Sequence, residues 1–261
     1  MGKPLTYEIE GQIAWIGLDR GAKRNAINDA LIAAIAEAVR RAHGEARAIV
    51  IFGHGPCFSA GLDLVEHKAR TPEEVLHHSR SWHNAFGLIR RGRVPAIAAL
   101  HGATVGGGLE LAAACHLRVA DTTAFFALPE GSRGIYVGGG ASVHVARLLG
   151  ASRMMDMMLT GRVLDAQAAE RYGLLHYLVP DGEARQKAGQ IAGKVATTAP
   201  LTVLGVLQAL PRIQDMSEDD GLFVESMMAA LAQSGREAQE RLAEFAQKRA
   251  AKVKKPGGGS Q

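Results

Sequence analysis

The chain has 261 residues, 47% apolar and 21% charged, with a formal net charge of +4, which is the profile of a chain that folds around a large core and not of a disordered or collagen-like one. No apolar run approaches the ~20 residues of a membrane-spanning helix, so no membrane association is expected. Only two cysteines, Cys57 and Cys115, and no apolar leader-like stretch exclude a disulfide-rich secreted fold and make the cytoplasm the expected setting.

Short apolar runs alternate with helical patterns along the first two thirds of the chain. Ile13–Leu18 reads as a strand, Asp29 to His43 as a helix, and Ala48–Phe52 as a second, wholly apolar strand. A helical pattern carries Trp82, His83 and Phe86. Pro95 opens another strand to Leu100, and Arg118–Ala120 and Phe125–Ala127 are short strands. This interleaving predicts an α/β fold with buried sheets. Beyond Asp165 the pattern is almost purely helical, with apolar residues at three- and four-residue spacing in 200–210, 219–231 and 236–249. Such helices cannot extend a sheet and must pack on the body or on another subunit. No repeat or linker divides the chain, so residues 1–199 are read as the core, 200–249 as a helical region of the same functional unit and 250–261 as a basic mobile tail.

The charge follows this division. Lys248, Arg249, Lys252, Lys254 and Lys255 are basic with no acid among them, and removing these five from the net +4 leaves −1 for residues 1–247. Nucleic-acid binding is therefore not expected of the body; an RNA-associated module acting through the tail is the non-enzymatic alternative.

The 31 glycines carry more information. Gly106-Gly107-Gly108 follows the Pro95–Leu100 strand and enters a helix-forming stretch with Glu110 in its first turn. Three glycines at a strand-to-helix junction let backbone N–H groups meet an anion or a developing oxyanion, or simply allow a close helix–strand crossing. Phe58-Ser59-Ala60-Gly61-Leu62-Asp63-Leu64 is a second turn at a strand end. Leu128-Pro129-Glu130 sets another carboxylate shortly before Gly138-Gly139-Gly140. Neither GxxxxGK[ST] nor GxGxxG occurs, which disfavours those nucleotide loops.

These segments, with Leu18-Asp-Arg-Gly-Ala-Lys-Arg-Asn25-Ala26-Ile-Asn28 before them and Leu159-Thr-Gly161 and Ala168–Leu174 after them, resemble the crotonase superfamily, the enoyl-CoA hydratase/isomerase family, in family order from about Tyr7 to about Arg249. The resemblance implies a spiral of ββα units with a C-terminal helical oligomerisation region, and a homotrimer or hexamer. It implies an acyl-CoA thioester substrate, no separate cofactor because coenzyme A is part of the substrate, and addition of water to a 2-enoyl-CoA. Ala60 and Gly107 match the two backbone donors to the thioester oxygen. Glu110 matches the general base toward water and Glu130 the acid that protonates Cα. Isomerisation, hydratase-lyase chemistry or another reaction on a specialised acyl-CoA are the alternatives; retention of Glu110 favours hydration. Bulk at Gly107, as in Gly107→Val, is expected to abolish turnover in a folded protein.

Around that centre, Gly138 matches the glycine near the water, while Val137 stands where the family usually has proline, so Tyr136 is expected to shape the acyl pocket unusually. Trp82 and Phe86 are candidates for the acyl wall or for core packing. Lys23 and Arg24 are candidate CoA phosphate contacts, and Ser59, Ala60, Asp63 and Leu64 lie where the resemblance places the rest of the CoA site. No HExxH or paired Cys/His spacing occurs, so no metal is expected. His77-His78 reads as a solvated helix face, and both cysteines as packing residues.

Overall fold

In a computed structural model, which describes residues 3–65 and 70–247, the chain divides into two compact units at Thr197/Thr198. The expected basic tail from Lys248 onward lies outside the described residues.

In the first unit, β1 (Leu5–Glu10) and β2 (Ile13–Leu18) form a hairpin, followed by α1 (Asp29–Glu45), β3 (Ala48–Gly53), α2 (Pro72–Arg90), β4 (Ala96–Leu100), β5 (Ala103–Val105), α3 (Gly107–Ala114), β6 (Leu117–Asp121) and β7 (Phe125–Ala127). After them come α4 (Ala141–Leu149), α5 (Ala151–Thr160), β8 (Leu164–Asp165), α6 (Ala166–Arg171), β9 (Tyr177–Val179) and α7 (Ala184–Ala196). The larger sheet has the order β1-β2-β3-β4-β6-β9, parallel except for the first hairpin, and the smaller has the order β5-β7-β8. Isolated pairing of Ser59 with Thr104 adds the Ser59 turn to the smaller sheet. Three successive passes thus place one strand in the larger sheet, one segment in the smaller and then a helix: β3, Ser59, α2; β4, β5, α3; and β6, β7, α4. This is the expected spiral of strand–strand–helix units.

Strand β3 shows why the sequence folds this way. All six of its residues are buried, and they alternate between two cores: Ile49 and Ile51 face the cluster containing α1, while Ala48, Val50 and Phe52 face the one containing α7. Helix α7 meets that second face with Ala184, Ala188, Ile191, Ala192 and Ala196, a stripe at helical spacing. Helix α1 is capped by Asn28, whose side chain accepts the Leu31 N–H, and α2 by a Thr71/Glu74 capping box with Pro72 at its first position.

Two expectations need correction. The stretch from His101 to the Gly106–Gly108 turn is not all turn, because β5 lies within it; Ala-Thr-Val is too short to stand out as a strand in sequence. The chain beyond Asp165 does extend a sheet: β9 pairs parallel with β6 at the sheet edge, a three-residue strand hidden between helical patterns.

The second unit is helical: α8 (Pro200–Leu204), a π-helical turn over Gly205–Ala209, α9 (Leu210–Ile213), α10 (Glu218–Ser234) and α11 (Arg236–Ala246). Helix α10 leaves Leu222, Phe223, Met227 and Leu231 exposed.

Candidate active site

The carboxyl ends of the strand–strand–helix passes converge on a cavity of about 170 Å³. Its floor is made by two turns. In the first, the Ile27 N–H donates to the Gly61 carbonyl (2.7 Å) and the Asp63 N–H to the Ile27 carbonyl (2.9 Å). Parallel pairing of Ile27 with Leu62 therefore consumes the polar groups on either side of Leu62 and turns its own N–H the other way. In the second, Gly106 caps α3 without a side chain, and Gly107 is the first helical residue, whose N–H has no intrahelical acceptor. Among the described residues neither the Leu62 nor the Gly107 N–H has a hydrogen-bond partner. They are neighbours: a Cβ built on Gly107 would lie 3.6 Å from the Leu62 nitrogen, and one on Gly61 3.3 Å from the Gly107 nitrogen.

This corrects one expectation. The Ala60 N–H is donated to the Arg24 carbonyl at 2.9 Å and is spent on the fold, so the available donor of this turn is Leu62, two residues on. Sequence reasoning had no signal for it, because which N–H of a turn faces outward depends on the register with Ile27.

Glu110, in the first turn of α3, is 3% exposed, and its Oε1 accepts the N–H groups of Gly139 (2.8 Å) and Ala141 (3.1 Å). Burial pushes its carboxyl up to about 7, partly offset by these backbone bonds, and nearby Glu130 pushes it further in the same direction. Glu130 is 8% exposed and reaches over Gly106, where a Cβ would stand 2.6 Å from its Oε1; its buried Oε2 has no hydrogen-bond partner among the described residues. Desolvation raises this carboxyl too, against a smaller lowering by its own backbone and by Arg133. Both carboxylates line the cavity, and burial disfavours the charged form of each.

The walls come from α2, through Val75, His78, Ser79 and Trp82, and from Arg133 to Gly139. Trp82 is wedged between the glycine turns: a Cβ on Gly107 would lie 2.5 Å from its Cζ3, and one on Gly139 2.9 Å from its Cε3. Gly107→Val would therefore displace Trp82 as well as the donor, and is not the clean probe expected from sequence. Phe86 stands behind Trp82, with ring centroids 5.6 Å apart, and packs in the core outside the lining. Tyr136 lines the rim and is 69% exposed. Gly138 and Leu64 are also part of the lining.

Four other candidates serve the fold around this cavity instead of lining it. The buried Ser59 hydroxyl donates to the Asn25 carbonyl (2.8 Å) and accepts the Gly61 N–H (3.2 Å). Asp63 is held by Arg20 at 2.9 Å and Lys23 at 3.5 Å, which locks the Arg20–Asn28 loop to the turn. Arg24, at φ 53°, supplies the carbonyl that takes the Ala60 N–H. His78 is not a solvated residue as read from sequence: its Nε2 lies 2.9 Å from Asp29 and 3.3 Å from the Trp82 indole nitrogen. Both thiols are buried, and burial pushes Cys115 up to about 12. Among the described residues no helix is long and apolar enough to cross a membrane.

A sequence model of the enoyl-CoA hydratase/isomerase family matches residues 8–256. The chain is 35% identical over 237 residues to an Arabidopsis thaliana protein named probable enoyl-CoA hydratase 2, mitochondrial, covering 90% of this chain and 79% of that one. It is 31% identical to the 2,3-dehydroadipyl-CoA hydratase of Escherichia coli, covering 94% and 96% of the two chains. Among solved structures, one from Rhodopseudomonas palustris superposes with a TM-score of 0.92 at 50% identity over 94% of this chain and 95% of that one. An enoyl-CoA hydratase from Bacillus anthracis gives a TM-score of 0.88 at 28% identity, covering 94% and 97%.

Proposed function

The chain belongs to the enoyl-CoA hydratase/isomerase family, and from that premise we propose that it adds water across the 2,3 double bond of an enoyl-CoA thioester. The observation that carries the reading is the convergence on one cavity of Glu110, Glu130 and two backbone N–H groups without a partner among the described residues.

The thioester oxygen is received by the Leu62 and Gly107 N–H groups, which stabilise the enolate charge that develops when a nucleophile adds to Cβ. Glu110 takes the proton of the attacking water. Its pKa near 7 suits a general base at neutral pH, and the Gly139 and Ala141 bonds leave Oε2 as the free oxygen for the water. Glu130 delivers a proton to Cα; burial raises its pKa and its Oε2 has no partner among the described residues, both of which favour the acid form. Atoms balance: the water's hydroxyl goes to Cβ, one proton to Cα, and the proton on Glu110 returns through solvent to Glu130. Every group so used belongs to the protein, with coenzyme A arriving as part of the substrate.

Homotrimeric or hexameric assembly belongs to the same reading and is supported by the exposed apolar face of α10. Light scattering on Phe223→Glu and Met227→Glu, expected to reduce the assembly to smaller species, tests it; an unchanged mass would remove this face from the interface.

The direct test of function is a panel of aliphatic, aromatic and dicarboxylic enoyl-CoA thioesters with product identification. A 3-hydroxyacyl-CoA product is expected. Shifted double bonds or cleaved acyl chains as sole products would replace hydration with isomerisation or hydratase-lyase chemistry.

A further inference from the structure

Glu110 is oriented by a turn that has no side chains of its own with which to hold its shape. Residues 138–140 are all glycine, and Gly140 adopts φ 112°, a conformation open chiefly to glycine. Such a turn is entropically costly to fix, yet its Gly139 and Ala141 N–H groups must stay aimed at Glu110 Oε1. What fixes it comes from another element. The Ser79 hydroxyl, on α2, donates to the Gly138 carbonyl at 2.6 Å. Helix α2 itself is anchored at its start by the capping box and along its length by Trp82 and Phe86 in the core.

We propose that Ser79 is a positioning residue for the base: by holding the Gly138 carbonyl it fixes the turn whose N–H groups orient Glu110. The inference rests on the hydratase reading of Glu110. It has a consequence for substrate choice. Val75, His78, Ser79 and Trp82 form one stripe of α2 along the cavity, so the helix that meets the acyl group is also the one that tethers the base. An acyl group that shifts this stripe changes the aim of Glu110, and the chain discriminates substrates in kcat as well as in KM.

The groups around Glu110 are retained in the variants that test this. Glu130 acts on it directly; His83 feels Arg80 on α2, and the His144 ring, which feels Arg90, Arg91 and Arg147, lies close to Gly140. Ser79→Ala, Ser79→Thr and, as a control, Ser81→Ala are compared with the parent. Ser81 donates to the His78 carbonyl within α2 and does not touch the turn. Steady-state hydration of crotonyl-CoA is followed against pH, and the Glu110 carboxyl is titrated by infrared difference spectroscopy, its band assigned through Glu110→Gln. Ser79→Ala is expected to lower kcat about tenfold with little change in KM. Loosening the N–H bonds that favour the carboxylate also moves the acid limb and the Glu110 band upward by about one pH unit. Ser79→Thr restores both, and Ser81→Ala leaves them where they were. A parental acid limb and band in Ser79→Ala would overturn the proposal. A parent that hydrates no enoyl-CoA would overturn the hydratase reading instead, while the infrared titration would still decide whether Ser79 positions Glu110.

Discussion

The floor turns and the Gly138–Ala141 turn are built from the same material, glycine-rich backbone at the ends of short elements, yet they dispose of their N–H groups in opposite ways. At the floor, Leu62 and Gly107 keep theirs unpartnered among the described residues, whereas Gly139 and Ala141 give theirs to Glu110. Two unpaired donors side by side on a cavity floor are prepared for an oxygen that the fold does not itself supply. Donors committed to a carboxylate serve instead to aim a reacting group and to tune its proton affinity. Excluding side chains is common to both regions: a Cβ at Gly107 would strike Trp82, and one at Gly139 would stand 2.6 Å from Glu110 Oε2.

The sharpest way to break this contrast is to remove the carboxylates while keeping their shape. Glu110→Gln and Glu130→Gln should each lower kcat by ~10²–10⁴-fold in hydration assays, the usual weight of general acid–base catalysis. In Glu110→Gln the amide oxygen can still take the Gly139 and Ala141 N–H groups, so a loss of this size would come from the missing base and not from a collapsed turn. Parental rates in both variants would end the mechanism.

The next largest effect separates Leu62 from Ala60. Replacing the amide N–H of Leu62 by an ester oxygen, through incorporation of the hydroxy acid, deletes a donor without adding bulk. It should cost ~10²–10³-fold in kcat, the range for losing one oxyanion donor. At Ala60 the same exchange removes the bond to the Arg24 carbonyl and should fall chiefly on stability, by about 1 kcal/mol, read from thermal melting. If the Ala60 ester lost the rate and the Leu62 ester did not, the two roles would have to be exchanged.

That exchange marks the limit of what was legible in the sequence. Wholly apolar β3 and β4, the helix after Asn28 and the strand-to-helix junction at Gly106–Gly108 were readable because hydrophobic period and glycine placement are local. So was the pair of glutamates, each beside a glycine turn. The donor at Leu62 was not, because it follows from a single parallel pairing with Ile27, 35 positions away. For the same reason the fold roles of Ser59 and Asp63, whose side chains hold the Arg20–Asn28 loop, were not legible. The length of β9, three residues, gave no periodicity to count. Phe86 and Trp82 lie four residues apart on one helical face, and only the position of Gly107 and Gly139 decides which of the two meets the cavity.

The smallest expected effect reads the committed turn through stability. Burial lifts the Glu110 carboxyl from 4.5 to about 7 although the backbone N–H groups of Gly139, Gly140 and Ala141 act to lower it. Between those values the folded protein retains a proton that the unfolded chain has released. The stability tied to this group is therefore present in full below about pH 4.5 and is lost as pH rises through about 7. A shift of that size corresponds to about 3 kcal/mol at alkaline pH. Glu110→Gln removes the titration, so its stability relative to the parent should increase with pH, with most of the change between about pH 5 and 8, in urea unfolding followed at each pH. The raised Glu130 carboxyl acts in the same direction in the parent and in Glu110→Gln alike, so it largely cancels from the difference. A difference that stayed flat across this range would mean that the N–H donors of Gly139 and Ala141 offset the burial of Glu110 completely. The turn would then be holding a permanent carboxylate, and the base would work well below neutral pH.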